Sequence, residues 1–190
     1  GCTHVYFTGC AGNVAAGKYN NGTPEARRAL TDRIYAAIVA SEAERKPQPI
    51  ESVAWKTAPV RIPPLETLAE AALLAVVNDR TARPVDRIIS AMKVGWLRRY
   101  EREQPVILSA LHVNEATLLH LPAESFVEYQ LGAQAIAPQR FVATAAYGDG
   151  GAWYIPTAAA YPQGGYEVTM AFSSPQVERI LTEGSGTLLK

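Results

Sequence analysis

The sequence predicts an α/β protein built on a mixed β-sheet that is flanked by helices. Two apolar runs, Val106 to Val113 and Ala116 to Leu121, are separated only by Asn114-Glu115, which is typical of an antiparallel hairpin. A helix from Ser125 to Ile136 and a strand from Phe141 to Ala146 then continue the chain in strand–helix alternation. Hairpins combined with this alternation indicate a mixed sheet in an α/β domain.

Length and composition exclude several classes of protein. The 190 residues fit a single domain, residues 1–190, with a sizeable core. The chain is 48% hydrophobic and 19% charged, which is typical of a globular protein. Its 18 basic and 18 acidic residues balance, so there is no electrostatic footprint for nucleic acid or an anionic membrane. No apolar run reaches the roughly 18 residues of a transmembrane segment.

The first third of the chain predicts a strand, a glycine loop and a helix. His4 to Phe7 is a short apolar run typical of a buried strand, and the loop from Gly9 to Gly22 follows it. Thr23-Pro24-Glu25 is typical of a helix start, with a threonine cap, a proline in the first turn and a carboxylate near the positive end of the helix dipole. Apolar residues at helical spacing mark one face of this helix: Leu30, Ile34, Ala37 and Ile38.

The remaining elements follow from periodicity and from prolines. Glu51 to Ile62 alternates, so it predicts a half-buried strand with Val53, Trp55 and Thr57 on one side, and Pro59 places it at a sheet edge. Apolar stripes predict three further helices: 65–77, 84–100 and a closing helix that begins at Ser174-Pro175.

The N-terminal residues carry two expectations. Cys2 and Cys10 flank the first predicted strand, about 25 Å apart at roughly 3.3 Å per residue, so no disulfide between them is expected. The chain enters that strand within three residues, without an initiator methionine or a signal sequence. We therefore expect it to be the C-terminal part of a larger protein.

Three segments resemble the neutral ceramidases and bacterial ceramidase-like proteins. YIPTAAAYPQGGYE resembles a Tyr-(Ile/Val)-Thr-Thr…Glu-Tyr…Gln…Tyr-Glu motif, in which Tyr154 and Tyr166 fall in register. LHLPAESFVEYQLGAQ resembles a Pro-Gly-Glu stretch that leads into a helix, with Glu124 at the carboxylate position. YFTGCAGNVAAGKYNNG resembles a Gly-Asn-Val-x-Ala-Gly-Lys-Tyr-Asn loop. The match implies the C-terminal half of a ceramidase-like catalytic domain.

This resemblance implies a zinc-dependent amide hydrolase of sphingolipid metabolism that acts on an N-acyl, ceramide-like substrate. The family holds zinc with two histidines, a glutamate and a tyrosine; the last two correspond to Glu124 and Tyr154. The two histidines are expected from the missing N-terminal half, which is the expected partner of this chain. The family resemblance also implies a secreted or periplasmic location, although the chain itself carries no signal.

The residues allow a shared site for Glu124 and Tyr154. Each follows a predicted strand, and if these two strands are neighbours, their oxygens can converge at one end of the sheet. The alternative for Glu124 is a carboxylate near the N-terminus of its own helix. His4, His112 and His120 are interpreted as histidines within strands rather than zinc ligands.

The glycine loop has several interpretations. The family serine corresponds to Ala15, which cannot attack or donate a hydrogen bond, and Asn13 stands where the family has aspartate. Asn13, Lys18 and Asn20, together with Tyr166, are predicted to bind substrate; alternatively, the glycines only build a tight loop.

Two further functions stay open at this point. Ala15 is compatible with a ceramidase-like domain that binds a small ligand or a partner without hydrolysis. Gly12 to Lys18 also has the spacing of a nucleotide-binding P-loop, but Tyr19 replaces the magnesium-binding Ser or Thr, which disfavours that interpretation.

Overall fold

A computed structural model describes residues 4–190 of the chain. These residues divide into two compact units, one formed by residues 4–13 and 52–190 and the other by residues 14–51. The smaller unit contains one helix, α1 (Pro24–Ala43). The side-chain oxygen of Thr23 accepts the N–H of Ala26 at 3.2 Å, which confirms the predicted cap. None of the α1 side chains is buried.

The larger unit contains a four-stranded sheet, a two-stranded sheet and five helices. Its elements are β1 (Val53–Val60), α2 (Glu70–Asn78), α3 (Pro84–Glu101), β2 (Val106–Val113), β3 (Ala116–Pro122), β4 (Glu124–Ser125), α4 (Val127–Ile136), β5 (Phe141–Gly148), β6 (Tyr154–Ile155), α5 (Tyr166–Thr169) and α6 (Val177–Leu189).

The main sheet is mixed, as predicted. Its strand order is β1-β2-β3-β5, with antiparallel pairs at β1–β2 and β2–β3 and a parallel pair at β3–β5. The β2–β3 hairpin turns at Asn114, whose positive φ of 50° suits an asparagine in a tight connection. β1 is an edge strand, which confirms the position inferred from Pro59. β4 and β6 form the small parallel sheet.

Helices α4 and α6 cover one face of the main sheet, where the core lies. Gly184 of α6 lies against Leu108 and Val60, while Gln130 of α4 accepts the hydroxyl of Thr144 at 2.6 Å. Leu108 has no exposed surface, and neither has Leu119 on the neighbouring strand. Because side chains alternate along a strand, the other face of the sheet carries the intervening residues.

Several predicted boundaries were wrong. His4 to Phe7 forms no strand, and the carbonyl of the following residue, Thr8, accepts the Ala146 N–H of β5 at 2.8 Å. The helix predicted over 65–77 begins at Glu70, and Ser125 belongs to β4 rather than to a helix. Val53 and Trp55 are 62% and 64% exposed instead of half-buried.

The cysteine expectation is tested only in part. Cys10 is a buried free thiol, whereas Cys2 lies outside the described residues. Burial raises the pKa of the Cys10 thiol to about 11, so it stays protonated at neutral pH. Among the helices of residues 4–190, none has both the length and the hydropathy that a bilayer crossing requires.

Candidate functional site

Glu124 and Tyr154 lie side by side in the small parallel sheet. They are register partners of β4 and β6, and the Glu124 carboxylate lies close enough to the Tyr154 phenol to raise its pKa. Glu124 reaches this position because the chain leaves β3 through Ala123, which has a positive φ of 51°. The Glu124 N–H then donates to the Trp153 carbonyl at 2.9 Å. The two side chains therefore share one end of the sheet, as the sequence analysis required.

An open cleft of about 230 Å³ adjoins this pair. It combines one carboxylate and one phenol with apolar and aromatic walls, and its lining consists of Met92, Ala123, Glu124, Tyr147 and Trp153. Trp153 is held edge-on against Phe172, with ring centroids 5.7 Å apart. A concave site with a few convergent polar groups on an apolar wall is typical of small-molecule binding.

The electrostatics of the site favour a cation. Burial, together with the neighbouring Glu124 carboxylate, raises the pKa of Tyr154 to about 12. Tyr166 and Glu167 act in the same direction. Burial and the charge of Glu124 also raise the pKa of Tyr147. The phenols are therefore neutral at pH 7, and an added cation would reverse this effect by stabilising phenolate.

Tyr166 lies next to Tyr154 at the rim of the site. Their ring centroids are 5.8 Å apart with an interplanar angle of 77°, which is an edge-to-face contact. Tyr166 is 61% exposed. Its phenol is therefore accessible to a ligand that enters beside Tyr154.

Backbone strain is concentrated around the cleft. Of the six described non-glycine residues with positive φ, four lie here: Ala123, Tyr147, Asp149 and Trp153. Such conformations cost on the order of 1–3 kcal/mol each and cluster at functional sites. Arg99 donates two hydrogen bonds to the Asp149 carboxylate of the strained loop, at 2.9 and 3.2 Å. It donates a third to the Pro105 carbonyl at 2.7 Å, so the same guanidinium ties the loop to the segment that follows α3.

The beginning of the glycine loop braces the Glu124 strand. Asn13 uses both ends of its amide on α4: its oxygen accepts the Val127 N–H, and its nitrogen donates to Glu128, each at 2.9 Å. Gly12 donates its N–H to the Ser125 carbonyl at 3.0 Å, and a Cβ on Gly12 would overlap the Glu124 carbonyl. Asn13 therefore has a structural role beside its predicted role in substrate binding.

Lys18 and Asn20 belong to the smaller unit, as does Ala15, which is exposed. The Lys18 ammonium lies 5.3 Å from the centre of the Tyr19 ring, and Asn20 accepts the N–H of Gly22 at 3.0 Å. α1 begins only at Pro24, so no helix N-terminus follows Lys18 to bind phosphate. This geometry disfavours the nucleotide-binding interpretation.

The histidines form no metal centre among residues 4–190. No group of three or more His, Cys, Asp or Glu side chains suited to a metal ion occurs within that range. His112 is a buried strand residue whose Nδ1 lies 2.9 Å from the Thr117 hydroxyl, and His120 lies on β3 against Gly148. His4 is exposed and is not part of a strand.

Sequence reasoning did not assign Tyr147, Met92 and Arg99 to the site. Tyr147 could have been found from its place in Tyr-Gly-Asp-Gly-Gly at the end of β5. Met92 lies on a helix far away in sequence, and the Arg99–Asp149 pair spans 50 residues. No local pattern indicates either contact.

Comparisons with known proteins identify this architecture. No family model and no curated protein matches the chain. Its structure is similar to neutral ceramidase from Pseudomonas aeruginosa, with a TM-score of 0.57 and 16% identity over 96% of this chain. It is also similar to a ceramidase complexed with C2, with a TM-score of 0.56 and 14% identity over 87% of this chain.

The two ceramidases are much longer than this chain, which covers 37% and 34% of their lengths. At this level of identity the likeness concerns the fold. It confirms that the chain folds like one part of a neutral ceramidase, as the resemblance of its motifs implied.

Proposed function

We propose that this chain forms part of a zinc-dependent hydrolase that cleaves the amide bond of an N-acyl, ceramide-like substrate. The single observation on which the proposal rests is the Glu124–Tyr154 pair, a carboxylate and a phenol on paired residues of β4 and β6 beside an open cleft. The ceramidase fold supports it.

The residues supply two of the four protein ligands expected around a zinc ion, so the open position would be a fifth one. Zinc accepts carboxylate and phenolate oxygen beside imidazole nitrogen, and a catalytic site keeps one position open. Glu124 and Tyr154 would hold the ion, and zinc supplies Lewis-acid chemistry and lowers the pKa of water to about 7. Two imidazole ligands are expected from a part of the protein outside this chain, because residues 4–190 contain no larger ligand group.

The proposed roles of the other residues follow from their exposure and chemistry. Tyr166 would donate its exposed phenol to the polar head of the substrate, and Trp153 would provide an apolar wall. Asn13, Lys18 and Asn20 are proposed to bind polar groups of the substrate. Of these three, Asn13 has the least freedom, because its amide is already bonded to α4.

Ala15 supports a second candidate function, a ceramidase-like domain that binds a ligand without hydrolysing it. Alanine at the family's serine position removes a hydroxyl nucleophile and hydrogen-bond donor. A water nucleophile needs no serine, so this substitution alone does not prevent hydrolysis.

The test compares zinc content and amide hydrolysis in the full-length polypeptide that contains these residues. We expect one zinc per chain and release of fatty acid from an N-acyl sphingosine. Glu124→Ala should remove the zinc and reduce turnover by at least about 100-fold, since it deletes a metal ligand. Tyr154→Phe should weaken zinc binding while leaving the fold intact.

Glu183→Ala is the matched control, because Glu183 is an exposed carboxylate on α6 that pairs with Arg179 in the same helix. It should change neither zinc content nor turnover. Zinc binding without hydrolysis of any N-acyl amide would favour the binding domain. Stoichiometric zinc retained by Glu124→Ala would overturn the proposed site.

A further inference from the structure

A crevice of about 110 Å³ lies between helices α4 and α6, and the residues that line it belong to the larger unit. Side chains of α4 at positions 128, 129, 132, 133 and 136 face those of α6 at positions 178, 181, 182 and 185, a spacing that places each set on one side of its helix. A Cβ added to Gly132 would meet no atom within 4 Å, so this side of α4 leaves room. We call this space the α4–α6 crevice, and none of the residues at these positions lines the Glu124 cleft.

Two carboxylates border the crevice, and neither has a cationic partner among the described residues. The ion pairs within residues 4–190 use other carboxylates. Glu128 accepts a side-chain amide N–H of Asn13 at 2.9 Å, and Glu178 accepts the backbone N–H of Ala158 at 2.5 Å. Both donors are neutral, and a carboxylate offers about four acceptor positions, so each retains capacity for a further donor.

Tyr129 shows that the two carboxylates act on the same part of the crevice. It is 7% exposed and donates its hydroxyl to the Pro156 carbonyl at 2.9 Å. Burial raises the pKa of this phenol, and the negative charges of Glu178 and Glu128 raise it further. The fields of both carboxylates therefore overlap here, and the described residues that line the crevice include no Lys, Arg or His to offset them. Such a potential attracts a cation.

Ser185 places an unpaired hydroxyl inside the crevice. The residue is 4% exposed and lies on the side of α6 that lines this space. Thr187 on the same helix donates its hydroxyl to the backbone carbonyl four residues earlier, whereas the Ser185 hydroxyl has no hydrogen-bond partner within residues 4–190. A buried hydroxyl without a partner is unfavourable. The crevice therefore contains a polar group that a ligand can satisfy.

The walls and the volume of the crevice limit the ligand. Ala133 and Leu181, both buried, supply apolar surface beside the polar groups. At about 30 Å³ per water molecule in the liquid, 110 Å³ holds about four non-hydrogen atoms. The carboxylates favour an ammonium group, the apolar surface accepts methylene groups, and Ser185 matches a hydroxyl. Together these features describe a short protonated amino alcohol.

We propose that the α4–α6 crevice binds a short protonated amino alcohol, whose ammonium lies between Glu128 and Glu178 and whose hydroxyl is hydrogen-bonded to Ser185. Carboxylates in the first turn of a helix also stabilise its dipole, which accounts for the positions of both glutamates. That role does not account for an unpaired serine hydroxyl beside them. The site does not depend on the proposed hydrolase, because it involves neither Glu124 nor Tyr154.

The first experiment titrates the 190-residue chain with ethanolamine at pH 7 and follows the backbone amide resonances by NMR. We expect saturable shifts at Gly132 and Ala158 with a millimolar dissociation constant, as suits a ligand of about four non-hydrogen atoms. Propylamine lacks only the hydroxyl and propanol lacks only the ammonium, so each should bind at least about fivefold more weakly. Shifts that do not saturate, or equal affinity for ethanolamine and either analogue, would overturn the proposal.

The second experiment separates the two contacts with variants. Glu178→Gln keeps an acceptor for the Ala158 N–H but removes the charge, so it should weaken the binding of ethanolamine and of propylamine by about tenfold. Ser185→Ala should weaken the binding of ethanolamine alone and bring it to the affinity of propylamine. Equal losses for both amines in Ser185→Ala would overturn the proposed hydroxyl contact.

Glu183→Gln is the matched control for the charge, because Glu183 is an exposed carboxylate of α6 that pairs with Arg179 and does not line the crevice. It should leave the affinity for ethanolamine unchanged. Equal losses in Glu183→Gln and Glu178→Gln would show a general attraction of the ammonium to acidic side chains and would overturn the site. Circular dichroism verifies the fold of each variant. Neither experiment involves zinc or hydrolysis, so failure of this site and failure of the proposed hydrolase are distinguishable.

Discussion

The two faces of the main sheet differ in what they contribute to the molecule. The face under α4 and α6 holds Leu108 and Leu119, which are fully buried within this chain. The opposite face holds Trp55 and Phe141, which are as apolar but are 64% and 72% exposed. Hydrophobic side chains alone therefore do not identify the core. The position of helices α4 and α6 decides which face of the sheet is buried and therefore stabilises the fold.

The largest expected effect is on the covered face. Leu108→Ala removes a fully buried side chain and leaves a cavity, so it should lower the free energy of unfolding by about 2–5 kcal/mol. Trp55→Ala on the opposite face should lower it by no more than about 0.5 kcal/mol, as is usual for surface sites. Urea denaturation of the 190-residue chain measures both. Equal losses would abolish the distinction between the faces.

A second comparison concerns two glycines of α6. A Cβ at Gly184 would lie 2.6 Å from Cδ1 of Leu108, so Gly184→Ala should destabilise by about 1–3 kcal/mol through overpacking. Gly186 has no atom within 4 Å of its added Cβ. Gly186→Ala should therefore stabilise by up to about 1 kcal/mol, because alanine is the better helix former. Thermal unfolding of both variants should show opposite signs.

The third comparison concerns two arginines of α3. Arg99 and Asp149 hold the strained loop, with 27% and 29% of their side chains exposed, whereas Arg98 pairs with Glu70 at 48% and 31%. Arg99→Lys should lower the free energy of unfolding by about 1 kcal/mol, since lysine cannot form the bidentate pair. Arg98→Lys should have a smaller effect. Urea denaturation measures both losses, and a larger loss for Arg98→Lys than for Arg99→Lys would contradict the role of Arg99 in holding the loop.

The smallest expected effect concerns the ionisation of Tyr154 beside the cleft. Tyr154 should ionise with a pKa of about 12, followed by absorbance at 295 nm as the difference between the chain and its Tyr154→Phe variant. Glu124→Gln removes the neighbouring negative charge that disfavours phenolate, so the pKa of Tyr154 should fall. An unchanged pKa of Tyr154 in Glu124→Gln would show that the two side chains do not interact and would contradict the proposed site. Glu183→Gln, far from the phenol, should leave the titration unaltered.

Repeating the Tyr154 titration with added zinc tests the same site directly. A cation beside Tyr154 favours phenolate, so zinc should lower the pKa of Tyr154, and zinc affinity should rise with pH until the phenol is ionised. The effect should vanish in Glu124→Ala. Two oxygen ligands alone bind zinc weakly, so millimolar concentrations of the ion are appropriate for the isolated chain.

Local pattern was sufficient for the β2–β3 hairpin, the Thr23 cap and the edge position of β1, because each depends on neighbouring residues and on backbone chemistry. It failed for His4 to Phe7, where an apolar run lacks a pairing partner, and for Trp55, where alternation has an apolar side that faces outward. A period of two shows that the faces of a strand differ, but not which one the helices cover.

The sequence by itself determined a mixed α/β sheet, its antiparallel hairpin and the motif positions of Glu124 and Tyr154. Only the tertiary structure decided that these two side chains meet, that Tyr147 and Met92 join them and that Arg99 holds the loop beside them. The physical reason is distance along the chain: contacts across tens of residues depend on strand order and helix placement. Those are properties of the packed molecule rather than of any short stretch.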